Sequence, residues 1–69
     1  MDAEATARAT IAAHPERVAA WLAGRPGAWG FLAGQAVLVE RARLGRRLTE
    51  AERRRVWAAL WAELERLRR

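Results

Sequence analysis

Residues 49–69 read TEAERRRVWAALWAELERLRR, and the fold class follows from this stretch. Thr49 followed three residues later by Glu52 is a capping box, in which each side chain satisfies a free backbone N–H at a helix start. Beyond it Val56, Trp57, Leu60, Trp61, Leu64 and Leu67 fall within an arc of about 140° at 100° per residue, the width of a core-facing stripe. The spacing predicts a helix over about 50–68. Glu50 with Arg54, Glu52 with Arg55, Glu63 with Arg66 and Glu65 with Arg69 stand at helical neighbour spacing, so acids on the same helix account for these arginines.

Upstream, Gly45 is placed to end a helix over about 26–44, which Pro26 opens because its missing N–H costs nothing at a first helical position. Trp29, Phe31, Leu32, Val37, Leu38 and Val39 point to almost every side of it, the pattern of a buried central helix. Gly30, Gly34 and Arg41 fall near one line, a stripe of bare backbone that some other group approaches closely. Pro15 opens a shorter helix, 15–23, with Val18, Trp21 and Leu22 on one face and Gly24 as its left-handed cap. Residues 3–13, dominated by alanine, form a first helix capped by Asp2 and interrupted at His14 and Pro15. Nothing alternates with period two, so strands are not expected. The expected architecture is one all-α domain spanning 1–69, a compact bundle of about four helices.

Composition narrows the chemistry. A 69-residue chain buries only about 60% of the surface it exposes when unfolded, and this one has no cysteine to cross-link a thin core. It has no serine or cysteine nucleophile, one histidine, and hydroxyls only at Thr6, Thr10 and Thr49. A nucleophile with a base and an orienting third group cannot be assembled from these, and His14 before Pro15 reads as a turn residue. One imidazole, no thiolate and dispersed carboxylates make no metal site. A non-catalytic binding module without cofactor, metal or small-molecule substrate is expected. Every cation is arginine, and asparagine and cysteine are absent, a thermophile-like composition. The acidic start, Met1-Asp2-Ala3-Glu4, is unlike a basic presequence, and the apolar run 28–39 falls short of the roughly 20 residues of a spanning helix, so a cytoplasmic protein is expected.

The net charge of +5 is unevenly spread: residues 1–24 carry −1, residues 25–48 carry +4 and residues 49–69 carry +2. Arg41, Arg46 and Arg47 have no acid at helical spacing, and Arg43 has only Glu40. An anionic partner would land there, in competition with a solvated helix end that simply complements the helix dipole.

Pro15, Val18, Trp21, Gly24, Arg25, Ala28, Gly30, Phe31, Leu32, Gly34 and Gln35 match, without a gap, the pattern P-x-x-V-x-x-Y-x-x-G-K-x-x-A-x-G-F-L-x-G-Q, with Trp21 for the aromatic and Arg25 for the lysine. The segment from Ile11 to Arg43 thereby resembles the tail domain of the GatB/YqeY family, and Gly30 to Gln35 is its most specific part. The resemblance implies a small helical domain that, as in the B subunit of tRNA-dependent amidotransferase, helps hold tRNA while catalysis occurs elsewhere. After Gln35 the chain departs: Leu38 stands for a lysine, Ala42 for a glycine and Gly45-Arg46 for Asn-Pro, and only Arg41 and Arg43 keep basic positions.

Together these readings give a module that binds tRNA or structured RNA. Arg41, Arg43, Arg46 and Arg47, with Arg25, contact phosphates, and Gly30 and Gly34 admit the sugar-phosphate chain. The rival expectation is a protein-interaction or homodimerisation module that uses Trp57, Trp61 and Leu64, because four tryptophans are much apolar surface for so short a chain.

Overall fold

A computed structural model describes residues 1–69 as four helices, α1 (Ala3–Ala13), α2 (Pro15–Leu22), α3 (Ala28–Leu44) and α4 (Glu50–Arg68), with no strand. Local chemistry sets most of the helix ends. The Asp2 side chain accepts from the Ala5 N–H at 3.0 Å. Thr49 and Glu52 form both arms of the capping box at 3.1 and 2.8 Å. After α2 the Gly24 N–H donates to the Trp21 carbonyl and the Arg25 N–H to the Ala20 carbonyl. These two bonds make a Schellman motif, which needs the left-handed residue that Gly24 supplies at φ 74°.

The start of α3 differs from expectation. Pro26 lies in the turn, and the helix begins at Ala28, because Gly27 adopts φ 86° and so breaks the helical path that Pro26 would have begun.

α4 lies most extensively against α1, and α3 packs against both. Val56, Leu60 and Leu64 of α4 are fully buried between small residues: Ala3 and Ala7 of α1, and Ala28, Ala33 and Ala36 of α3. Leu32, Val18 and Trp21 complete the core. α3 is not buried all round. Its inner face runs Ala28, Leu32, Ala33, Ala36 and Glu40, whereas Gly30, Gly34 and Arg41 face outward and Leu38 is 52% exposed. A Cβ at either glycine would meet nothing within 4 Å, so the bare stripe serves no packing inside the chain. On α4, Leu67 and Trp61 likewise leave the predicted core stripe and are about half exposed. No helix is long and apolar enough to cross a membrane.

Candidate nucleic-acid interface

The arginines singled out by sequence sort into three environments. Arg46 is the first. It sits just past Gly45, whose φ of 72° turns the chain out of α3, and its guanidinium reaches forward across the turn. Nη1 and Nη2 meet Oε1 and Oε2 of Glu52, each at 2.8 Å, and Nη1 also donates to the Arg47 carbonyl at 2.9 Å. Arg46 therefore has an acid after all, six residues on, and Glu52 pairs with it and not with Arg55. The fork geometry leaves Arg46 clamping the turn rather than free for a ligand.

The hydrogen bond from Arg46, followed by that from the Thr49 backbone, holds the Glu52 carboxyl far below its usual 4.5, at about 2. A depressed carboxyl pKa adds stability that is fully present above the unfolded value near 4.5 and is lost as pH falls through about 2. Glu52→Gln removes that dependence. Across pH 5 to 2, the acid destabilisation of the variant, followed by circular dichroism, is expected to be shallower than that of wild type. Parallel curves would show that the clamp carries no pH-linked stability.

Arg43 is the second environment. It turns back toward α1, where Nη1 donates to Thr6 Oγ1 at 3.1 Å and Nε lies 3.9 Å from Glu40 Oε1. Thr6 itself donates to Glu40, and Thr10 donates to the Thr6 carbonyl at 2.8 Å. Glu40 and both threonines are essentially inaccessible. This buried polar cluster between α1 and α3 employs Arg43 in the fold.

Arg41 and Arg47 are the third environment, and neither forms an ion pair. They share two open surface depressions where α3 ends and α4 begins. One, of about 320 Å³, is lined by Leu38, Arg41, Ala42, Gly45, Arg46 and Arg47. The other, of about 300 Å³, is lined by Val37, Arg41, Arg47, Leu48 and Arg53. Arg53, which sequence reasoning passed over, joins the site from α4. It lies one turn before Trp57, on the side of α4 that faces α3, and its nearest acid is Glu50 at 3.7 Å. Arg25 lies apart from these groups, in the turn before α3, while Arg41 lies near that helix's far end. The exposed strip Gly30, Gly34, Leu38 connects the two ends.

The tryptophan surface is smaller than sequence suggested. Leu64 is fully buried, and Trp57 is half-buried with its indole N–H donating to the Ala33 carbonyl at 3.2 Å. Both belong to the core, because the α4 stripe that carries them faces α1 and α3. Of the three residues only Trp61 remains open, at 47% exposure, wedged edge to face between Trp21 and Trp29. No cluster of three or more histidine or carboxylate side chains could hold a metal.

The chain matches no family model, no curated protein and no solved structure.

Proposed function

We propose that the domain is a non-catalytic module that binds folded RNA, tRNA among it, through the phosphate backbone at the junction of α3 and α4. The observation that carries this reading is the pair Arg41 and Arg47, two guanidiniums without a carboxylate partner that line the same two open depressions. Arg53 adds a third cation beside them. Arg46 fixes the turn that presents Arg47, and Arg43 braces α3 against α1, so neither is counted as a phosphate ligand. Gly34, two turns before Arg41 and near the same line, leaves the α3 backbone open on the approach to these cations, whereas Gly30 lies a further turn away. Phosphate contacts of this kind position a nucleic acid without reading its bases.

The test is fluorescence anisotropy with unfractionated tRNA over a salt series. With three phosphates engaged, log K should fall against log salt with a slope of about −2 to −3. Absence of binding at low salt, or affinity indifferent to salt, would remove the reading. Attention would then pass to the second one, a protein contact at Trp61, which is favoured only by that ring's open half.

A further inference from the structure

The chain has five aromatic residues apart from His14, and the fold has already engaged them. Trp21 is buried, with the Arg68 guanidinium 4.4 Å over its ring. Phe31 carries Arg17 at 3.9 Å and meets His14 edge to face at 5.0 Å. Trp57 is tied to α3 by its N–H and has Arg53 beside its ring at 5.8 Å. Trp29 packs edge to face on Trp61 at 5.3 Å. Trp61 alone is half open. Its neighbour Trp29 lies in the first turn of α3, twelve residues before Arg41, which is about 18 Å along the helix axis. No aromatic residue lines either basic depression.

This arrangement discriminates between forms of RNA. Unpaired strands are held by basic grooves combined with exposed rings on which successive bases stack. Here the cations line the depressions and no ring does: Trp57, with Arg53 over it, is half-buried and tied to α3, and the half-open Trp61 packs on Trp29 at the far end of that helix. A double helix keeps its bases stacked on one another and presents phosphates and 2′-hydroxyls over a shallow groove, so it asks for no rings. It also presents phosphates at fixed spacing, and the Arg46–Glu52 clamp holds the turn that carries Arg47 at a fixed place relative to Arg41.

We infer that the site formed by Arg41, Arg47 and Arg53 takes the phosphate backbone of a double-helical RNA stem in preference to an unpaired strand. This rests on the RNA-binding reading above and goes further by naming the form of RNA.

The experiment uses the 69-residue chain and a labelled blunt RNA duplex of about 16 base pairs, a length on the scale of stem-binding domains, against each of its separated strands at matched salt. Anisotropy is expected to give at least about tenfold tighter binding to the duplex, with the steeper salt slope of a double strand. Trp61→Leu, which keeps apolar bulk but offers no ring, should leave duplex binding within about twofold, since backbone contacts involve no stacking. Strands bound as well as the duplex would overturn the inference while leaving RNA binding intact, whether or not Trp61→Leu also weakens them. Failure of duplex, strands and tRNA alike would overturn the RNA reading itself, and the inference with it. The comparison of wild-type affinities decides the matter even if Trp61→Leu does not fold.

Discussion

The double variant Arg41→Glu, Arg47→Glu is expected to bind tRNA about 100-fold more weakly than wild type at 0.1 M salt, and to lose about two units of its salt slope. Each phosphate contact contributes roughly one power of ten at that salt through counterion release, so deleting two accounts for the stated loss before any repulsion from the new carboxylates is added. Both side chains are exposed and form no ion pair, so the exchange costs the fold only the favourable placement of Arg41 at the negative end of α3, about 1 kcal/mol or less, and a melting curve checks that the variant stays folded. The natural control is Arg54→Glu with Arg66→Glu. It changes the net charge by the same amount, but at two highly exposed positions of α4 whose only partners are Glu50 and Glu63. Surface pairs of that kind are worth little, so the control should fold as well as wild type. A control that binds within a few-fold of wild type beside a double variant that does not bind would locate the site at the α3–α4 junction. Equal losses in both would show that tRNA feels only the overall field of a basic protein.

What could be read from the chain and what could not divide by the reach of the interactions involved. Asp2, Gly24, Gly45, Thr49 and Glu52 act on backbone groups within three or four residues, and their roles follow from spacing alone. The Arg46–Glu52 clamp spans a turn between two helices, and no helical periodicity connects the two positions. The same limit applies to α3. Its apolar residues point in all directions, so the buried side was decided by where α1 and α4 came to lie, and Gly30 and Gly34 were left in the open. Trp57 and Leu64 were legible as members of a core stripe. Assigning them also to a docking face asked one side of α4 to do both. Glu40 was legible too, although its charge concealed it: it continues the run Leu32, Ala36 at four-residue intervals, and Thr6 and Thr10 fall on the alanine face of α1 with Ala3 and Ala7.

That buried cluster yields the largest stability effect expected outside the apolar core. The buried apolar residues that α1 brings to the core are alanines, Ala3 and Ala7, and those of α3 are Ala28, Ala33 and Ala36 with Leu32, so small side chains dominate and offer little to fix how one helix sits along the other. The directional bond from Thr6 to Glu40, with Arg43 reaching both, supplies the register that alanine cannot. Glu40→Ala removes the acceptor, strands the Thr6 hydroxyl and opens a void, at a cost of about 3 kcal/mol. A domain of this size has only about 3 to 10 kcal/mol in total, and at 4–8 °C per kcal/mol its melting temperature should fall by roughly 12–24 °C. Glu40→Gln retains the volume and still accepts from Thr6, losing only the charge opposite a half-exposed Arg43, so a fall of about 4–8 °C is expected. Glu40→Leu with Thr6→Val removes both polar partners together and should recover much of what the alanine variant loses, because an apolar pair leaves no group unsatisfied. Thermal melts of the three variants separate the contributions. An alanine variant that melts within a few degrees of wild type would show that alanine packing alone holds α1 in register, and that the buried carboxyl is tolerated without being needed.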